Sequence, residues 1–598
     1  MLEILRLSKY LSCFLLLTAA GATVLADAET SIDRNLYIPL DQIKPGTKAY
    51  CLTVFKGTEI EKFELEVLSI IRGFMPGKDA ILVKGLDERF IHNGAVKGCS
   101  GSPVYIDGRM AGALAYGAPL SKDPIYFVTP IEEILSSENL NSNCRSAAQI
   151  SSTLDLSAPI DLKKMGEKII SHSYADPVAA TQLPLVTSAL PHSVMQQMTD
   201  DFRPLGLVPV FGPASTDSQQ IEHIDFRPGA CLAIPVVSGD ISMTAIGTVT
   251  QVVGDKLYAL GHPILGYGDI DLPMATGTIH AVISNLEMSF KIGQAMEIQG
   301  ALRTDNSSAV YGIIGAEPQL IPMRIKITRY NDIDRIYNCR LAANQLITPM
   351  AVRYSLLSAL LMKGSLPPEH LLRYKALIDL EGSWPISFEN ISSGSGLGEI
   401  INQTISPLII LMNNPYHRIK ITNIDLQVQI EPETRLARIL TVSLNDTTIK
   451  PGRNLEITVV LESYLKSRTT HKTSLRIPPD LPPGTYELLI TGFEGRQDFL
   501  RRTMPHKFTP RDLPTLTDAL NTILNIRCDK LYCILLLPAQ GITIHGMELP
   551  DLPASKTILL FDPKRTLRPQ SYAGSITEEI QTDSVILDTM VMQLTIEE

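Results

Sequence analysis

Cysteine and tryptophan are scarce in this chain of 598 residues, which has eight cysteines and one tryptophan. Cys13 lies in the N-terminal apolar segment, and the other cysteines are odd in number and widely spaced. This excludes a fold built on disulfides. Cys528 and Cys533 are close enough in sequence to pair in an oxidising compartment, and burial as small apolar side chains is the alternative.

An excess of positive charge is also absent. The chain has 53 Lys and Arg against 63 Asp and Glu, a formal net charge of -10. Nucleic-acid binding needs a basic face that neutralises phosphates, so this balance argues against a nucleic-acid partner. The spacings typical of metal ligands, Cys-x-x-Cys and His-Glu-x-x-His, are missing, and so are glycine-rich phosphate loops. The sequence therefore predicts no metal and no cofactor.

Long apolar runs are missing after the N-terminus, where no stretch reaches the roughly 18 residues of a membrane-spanning helix. Residues 1–28 combine Arg6 and Lys9, a short apolar segment and a small-x-small pattern at 26–28. These features are typical of a secretory signal peptide, and an uncleaved N-terminal anchor is the alternative. We therefore expect an exported protein, located in the periplasm, at the outer-membrane surface or outside the cell.

The composition is otherwise that of a globular protein, with 44% hydrophobic and 19% charged residues. It excludes a disordered chain, a collagen and a coiled coil. At about 150 residues per domain, the length predicts three to five domains.

Short strands and tight turns dominate the pattern. Residues 62–67 alternate between polar and apolar side chains, as in a half-buried strand. Asp107-Gly108 and Gly254-Asp255 each separate two apolar segments, which is typical of a β-hairpin. The chain is therefore predicted to be mostly β.

A few helices interrupt the strands. The clearest is predicted with Thr348 as its N-cap, Pro349 as its first residue and Gly364 just beyond its end. The other predicted helices are a short one that Thr129-Pro130 opens and that runs through Leu135, and one at 516–526. The clearest helix covers 349–363, and a second apolar segment follows at 397–412.

The order of these patterns predicts the domain organisation. A strand-rich block carries a serine motif and a second one carries a histidine motif, and a Ser- and Asn-rich linker with helices lies between them. Strands at regular spacing after about 418 are typical of an immunoglobulin-like sandwich. The predicted units are a signal peptide (1–28), a serine-bearing block (36–140), the linker (141–205), a histidine-bearing block (206–345), a helical connector (346–417), the sandwich (418–498) and a small α+β domain (505–598).

The most informative motif is Gly-Cys-Ser-Gly-Ser-Pro at 98–103. Glycines on both sides of a serine allow a tight turn, a close approach of substrate and backbone N–H groups that converge on one point. The N–H groups of Ser100 and Gly98 are the expected oxyanion donors, and Ser100 is the expected nucleophile. The alternative is a glycine-rich turn that carries an exposed serine.

Two segments together resemble the SpoIVB-type serine peptidases, the signalling proteases of sporulation. The first is DERFIHNGAVKGCSGSPVYIDGRMAGAL at 87–114, and the second is GTVTQVVGDKLYALGHPILGYGD at 247–269. The resemblance implies a relative of the trypsin-like double β-barrel with Ser100 as nucleophile and His262 as general base. Here the serine block precedes the histidine block, which is the reverse of the family order and implies a permuted fold.

The third member of the implied triad is less defined. Asp87 matches an aspartate that the family has upstream of its serine, and an exposed loop carboxylate is the alternative. Asp269 and Asp271 follow His262 closely and are further candidates. His92, eight residues before Ser100, is interpreted as a surface histidine rather than the base.

Two functions from different classes follow. The first is a secreted or periplasmic serine endopeptidase that cleaves a protein or peptide substrate. The second is a catalytically silent scaffold or peptide-binding protein, with the same fold, at the periphery of the cell envelope. A hydrolase of small esters would use the same triad.

Overall fold

Strands make up 50% of the residues that the structure describes and helices 19%, in agreement with the mostly-β prediction. The computed structural model describes residues 32–118, 121–138, 154–157, 182–188, 190–213, 223–266, 268–394, 396–463, 467–544, 547–550, 552–561 and 569–598. The predicted signal peptide and most of the predicted linker lie outside these residues.

The first strands close into a six-stranded antiparallel barrel in the order β1-β2-β3-β7-β6-β5. Its core contains the inward-facing side chains of β2, with Phe63, Leu65 and Val67 fully buried and Lys62 and Glu64 exposed, so the predicted alternation is confirmed. Its elements are β1 (Lys48–Thr53), β2 (Glu61–Met75), β3 (Lys78–Gly85), α1 (Glu88–Asn93), β4 (Val96–Lys97), β5 (Pro103–Ile106), β6 (Arg109–Gly117), β7 (Ile125–Pro130) and α2 (Ile131–Leu135).

The predicted turn at 107–108 joins β5 to β6. Asp107 and Gly108 both have positive φ angles, 49° and 77°, as the primed turns of two-residue hairpins require. After this turn, β6 runs antiparallel to β5, the strand in which the serine motif ends.

A large second sheet follows, and part of it closes on itself. The antiparallel pairings β10-β13-β14-β15-β12-β11 return to β10 through the β10–β11 pair. The strands are β8 (Leu183–Thr187), β9 (Leu207–Phe211), β10 (Cys231–Gly239), β11 (Met243–Val253), β12 (Lys256–Ala259), β13 (Gly268–Ile283), β14 (Ser289–Asp305), β15 (Val310–Ile314), β16 (Leu320–Arg329), β17 (Arg335–Ala342), β18 (Leu371–Leu380), β19 (Ile386–Ser393) and β20 (Ile421–Glu431). The hairpin predicted around Gly254-Asp255 is the β11–β12 pair.

The two closed rings are joined through the serine motif. Strand β4, which leads into Gly98, pairs in parallel with β14 of the second sheet. The helices packed against the second sheet include α3 (His192–Phe202), α4 (Ile347–Leu361) and α5 (Gly398–Met412).

Helix α4 begins at Ile347, earlier than predicted, and its N-cap is Leu346. The Asn344 side chain accepts hydrogen bonds from the N–H groups of Leu346 and Ile347, at 3.0 and 3.1 Å. Thr348 therefore lies inside the helix, where its hydroxyl donates to the Ala342 carbonyl at 2.7 Å. The prediction of Thr348 as N-cap was wrong.

The C-terminal strands form two sheets, β24-β23-β21-β29 and β22-β30-β25-β26-β27, with β28 paired to β26. One apolar core lies between them and contains Leu455 and Ile457 from β23 together with Leu488 and Ile490 from β25. The elements are β21 (Leu436–Leu444), β22 (Thr448–Ile449), β23 (Asn454–Ser463), β24 (Thr469–Arg476), β25 (Gly484–Thr491), α6 (Phe493–Thr503), α7 (Leu513–Leu524), β26 (Lys530–Ile544), β27 (Met547–Pro550), α8 (Ala554–Leu560), β28 (Gln570–Gln581), β29 (Val585–Ile586) and β30 (Thr589–Ile596).

This arrangement differs from the predicted boundaries at both ends of the sandwich. Strand β20, inside the predicted range 418–498, pairs with β16 and β18 of the large sheet. Strands β26 to β30, from the predicted α+β domain, supply part of the C-terminal sheets. The physical reason is burial. Strand β25 pairs with β26 and β30, and the apolar side chains of these three strands contribute to one buried core.

Cys528 and Cys533 are free, buried thiols, like the other cysteines that the structure describes. The Cys528 thiol donates a hydrogen bond to a Glu399 carboxylate oxygen at 3.0 Å. Cys144 lies outside the described residues. Among the helices described, none is long and apolar enough to cross a membrane.

Candidate active site

The serine motif forms a tight turn between β4 and β5. Gly98 and Gly101 have φ angles of 94° and 95°, which a residue with a side chain rarely adopts. A Cβ atom at Gly101 would also lie 2.0 Å from the carbonyl oxygen of Thr248. The Ser102 hydroxyl closes the turn by donating to the Cys99 carbonyl at 2.6 Å. The glycines of the motif therefore permit both the turn and its close contact with the second sheet.

Strand β11 of the second sheet holds this turn through three hydrogen bonds. The Thr248 N–H donates to the Ser100 carbonyl and the Thr248 hydroxyl donates to the Gly98 carbonyl, both at 2.9 Å. The Thr250 hydroxyl donates to the Gly101 carbonyl at 2.8 Å. Ser100 therefore lies where the two closed rings of strands meet.

His262 comes to the same place from the other ring. Strand β12 ends at Ala259, and Leu260 and Gly261 then take positive φ angles of 70° and 69°. The Thr129 hydroxyl of β7 donates to the Gly261 carbonyl at 2.6 Å. This contact holds the segment before His262 against the first barrel.

Both residues contact the same end of β6. The Ser100 hydroxyl donates to the Ala115 carbonyl at 3.4 Å. The rings of His262 and Tyr116 have centroids 5.9 Å apart. His262 is 0% exposed and Ser100 is 8% exposed. The structure thus brings the two predicted residues together around Ala115 and Tyr116.

Ser100 and His262 do not share a hydrogen bond in this conformation. The His262 Nε2 atom is buried and has no hydrogen-bond partner among the described residues. A hydrogen bond between the two residues would require the Ser100 hydroxyl to leave the Ala115 carbonyl. Such hydrogen bonds are often long or misaligned in ligand-free enzymes and tighten when substrate binds.

The Nδ1 atom of His262 lies 2.7 Å from the Pro263 carbonyl oxygen. A carbonyl can only accept, so we assign the proton of the neutral ring to Nδ1, which leaves Nε2 as an acceptor. Burial lowers the pKa of His262 to about 4, although the hydrogen bond to Pro263 acts in the opposite direction. The charges of Lys97 and Lys78 lower this pKa further. His262 is therefore neutral over most of the pH range.

Asp87 takes a structural position in this conformation. It is the N-cap of α1, where its carboxylate accepts from the backbone N–H of Arg89 at 2.9 Å and from the Arg89 Nε at 3.1 Å. Burial raises the pKa of Asp87, but these hydrogen bonds outweigh it and the net shift is downward. Its carboxylate is thus engaged with Arg89 rather than with His262.

The other predicted candidates also contact groups other than His262. Asp269 lies 3.7 Å from Arg418 at the surface. Asp271 accepts from Arg303 at 2.8 Å and from the N–H of Gln319 at 3.1 Å. His92 is exposed in the last turn of α1. Among the described residues, His, Cys, Asp and Glu form no group that could hold a metal ion.

Asp305 is a site residue that the sequence did not reveal. It is buried at the end of β14, and its carboxylate accepts from the N–H groups of Ile264, Leu265 and Gly266 at 2.6–2.8 Å. These three N–H groups belong to the loop that follows His262. Asp305 lies beside this loop because of the register of the long β13–β14 hairpin, which pairs Gly268 with Asp305. Local sequence patterns do not give that register.

Replacing Asp305 by asparagine is expected to loosen this loop. The amide keeps one acceptor oxygen but turns an NH₂ group towards backbone donors, so charge-assisted hydrogen bonds worth about 2 kcal/mol are lost. Calorimetry should show the unfolding transition of this part of the chain about 5 °C lower. The control is Asp269→Asn, because the exposed ion pair with Arg418 contributes little. Equal unfolding temperatures for both variants would contradict this role of Asp305.

One comparison with known proteins finds a match. Residues 23–119 match the family model of the SpoIVB peptidase S55. The chain resembles the SpoIVB-type peptidases. The matched segment contains Asp87 and Ser100, while His262 and Asp305 lie outside it. Comparisons with curated proteins and with solved structures give no significant match.

Proposed function

We propose that this protein is an exported serine endopeptidase in which Ser100 is the nucleophile and His262 the general base. The observation that carries the proposal is the convergence of the two residues, distant in sequence, on the same end of β6. The match to a serine peptidase family over the Ser100 segment supports it. The signal-like N-terminus supports export to the periplasm, the outer-membrane surface or the extracellular space.

The proposed first step is attack of the Ser100 oxygen on a peptide carbonyl. Nε2 of His262 accepts the hydroxyl proton and later passes it to the leaving amine, and water then hydrolyses the acyl-enzyme. The carbonyl of Pro263 holds the ring in the required tautomer. Asp87 stays a prediction for the third triad member, and this role would require its release from Arg89.

The proposed oxyanion donors are the N–H groups of Ser100 and Gly98. In the turn, the N–H groups of Cys99, Gly101 and Ser102 donate to backbone carbonyls, whereas the N–H of Ser100 makes no backbone hydrogen bond among the described residues. A free donor that is already oriented stabilises a developing negative charge without reorganisation.

The fold that we propose is a permuted, trypsin-like double β-barrel followed by an immunoglobulin-like sandwich. The two closed rings of strands, with the site where they meet, support the first part. The core shared by the two C-terminal sheets supports the second.

The test is labelling of the full chain with a fluorophosphonate, which reacts only with an activated serine. We expect one label, on the peptide that contains Ser100, located by mass spectrometry after digestion. A protein substrate such as casein should be cleaved, and prior labelling should abolish the cleavage. Labelling at another serine, or no labelling, would contradict the proposal, and cleavage of esters alone would indicate a small-ester hydrolase.

One observation favours the alternative, a silent scaffold or peptide-binding protein at the cell envelope. Ser100 donates to Ala115 instead of His262, and the base is fully buried. If the chain binds peptides but neither labels nor cleaves over a broad pH range, this alternative replaces the peptidase.

The pH dependence of labelling is expected to follow the lowered pKa of His262. His262 acts as a base only when neutral, and its pKa of about 4 means that the neutral form persists until the pH falls to that value. The labelling rate should therefore be level between about pH 5 and 7 and fall by half near pH 4. Circular dichroism at each pH separates this loss from acid unfolding. A midpoint near the ordinary histidine value of 6.5 would contradict a buried base.

A further inference from the structure

Lys291 is a fully buried lysine directly behind the serine turn. It lies on β14, is 0% exposed, and has no carboxylate partner within the part of the chain that the structure describes. Its Nζ donates a hydrogen bond to the Thr53 hydroxyl of β1 at 2.7 Å. Burying a lysine without a carboxylate partner costs folding free energy and is rare in proteins, so Lys291 differs from an ordinary core side chain.

The lysine stem packs against the first glycine of the motif. A Cβ atom at Gly98 would lie 3.1–3.2 Å from Cβ, Cγ and Cδ of Lys291. The positive charge also acts on the thiols of Cys51 and Cys99, but burial raises the pKa of both thiols and keeps them neutral. The described surroundings of Lys291 therefore provide hydrogen-bond acceptors but no anion.

A row of hydroxyl groups connects Lys291 to the turn. The Thr53 hydroxyl lies 3.5 Å from the Thr248 hydroxyl, which donates to the Gly98 carbonyl at 2.9 Å. The Lys291 ammonium can only donate, and the Thr248 hydroxyl uses its proton on the Gly98 carbonyl, so in a hydrogen bond between the two threonines Thr53 is the donor. Hydrogen bonds aligned in this way strengthen one another in a buried setting.

Thr248 connects this row of hydroxyl groups to the backbone of the turn. Its hydroxyl holds the carbonyl of the Gly98–Cys99 peptide, and its N–H holds the carbonyl of the Ser100–Gly101 peptide. The peptide between these two carries the N–H of Ser100, the donor that we assign to the oxyanion. Fixing both neighbours sets the direction of this N–H group.

We propose that Lys291 is a positioning residue that orients the oxyanion-binding N–H of Ser100 through Thr53 and Thr248. This inference rests on the proposed function, because the oxyanion forms only if Ser100 attacks a carbonyl. Lys291 does not touch substrate. Its removal should slow the reaction step while leaving substrate binding almost unchanged.

The test compares two ways of breaking the row. Lys291→Met removes the donor but keeps an unbranched stem beneath Gly98. Thr53→Val removes the hydroxyl at nearly constant shape, and Thr53→Ser restores the hydroxyl as the rescue. Should Lys291→Met fail to fold, the Thr53 pair still decides the result.

The first readout is amide hydrogen exchange, which is independent of activity. We expect exchange of the segment 98–102 to rise about tenfold in Lys291→Met and Thr53→Val and to return to the wild-type rate in Thr53→Ser. Strand β25 serves as the internal reference, because it lies in the separate C-terminal core. Unchanged exchange at 98–102, or an equal rise throughout the first barrel, would overturn the inference.

The second readout separates the inference from the proposed function. In saturation kinetics of labelling, the maximal rate should fall about tenfold in Lys291→Met and Thr53→Val, with the half-saturating concentration within about twofold of wild type. A change in that concentration alone would overturn the positioning role. Absence of labelling in the wild-type chain would overturn the proposed function and, with it, the role at the oxyanion. In that case the exchange data would still report whether the row holds the turn.

Discussion

Replacing Ser100 by alanine is expected to abolish labelling of the full chain by a fluorophosphonate and to reduce casein cleavage at least about 1000-fold. The reason is that the Ser100 oxygen is the atom that forms the covalent bond with the probe. The other hydroxyl of the turn, that of Ser102, has a different hydrogen-bonding environment. The Ser102 hydroxyl is taken up by the Cys99 carbonyl at 2.6 Å. The Ser100 hydroxyl has only a long contact, 3.4 Å, with Ala115.

The matched control is Ser102→Ala, two residues further along the same turn. It removes one buried hydrogen bond, which costs about 1 kcal/mol of stability but leaves the nucleophile in place. Labelling of this variant should stay within a few-fold of wild type. If Ser100→Ala labels as well as Ser102→Ala does, the reactive serine lies elsewhere and the proposed site is wrong.

Replacing His262 by alanine is expected to lower the labelling rate about 1000-fold. Serine is a weak nucleophile near neutral pH, so the reaction depends on a base that removes its proton. Nε2 of His262 is buried and unpartnered among the described residues, while Nδ1 is held by the Pro263 carbonyl. That environment keeps the base neutral and available.

The control for this variant is His92→Ala. His92 is much closer than His262 to the serine motif in sequence, but it is exposed on α1, so this variant is expected to label at the wild-type rate. Calorimetry should accompany both variants, because His262→Ala leaves a cavity in a buried site. A folded His262→Ala protein that labels normally would rule out His262 as the base.

Local chemistry explains which structural predictions held. The alternation of Phe63, Leu65 and Val67 is a property of one strand, and Asp107-Gly108 is a property of one turn, and the structure confirms both. The start of α4 was misplaced, because the Asn344 side chain accepts from the N–H groups of Leu346 and Ile347, so the chain is already turning before Thr348. Both Asn and Thr are favoured at helix starts, and residue preference alone does not choose between them.

The boundaries of the C-terminal units depended on pairing between distant strands. Strand β20 has the alternation expected of a sandwich strand, but it adds to the large sheet beside β16 and β18. Each of these strands has an apolar face, and alternation alone does not specify the partner against which that face is buried.

The turns that present the candidate site can be predicted from local sequence, because the glycines at 98, 101 and 261 take positive φ angles that residues with side chains rarely adopt. The surroundings of those residues come from the tertiary fold, which placed Asp305 on the loop after His262 and Lys291 against Gly98. Each of these contacts joins segments that are far apart in sequence, within the second ring for Asp305 and between the two rings for Lys291. Their closeness depends on the registers of long hairpins and not on local patterns.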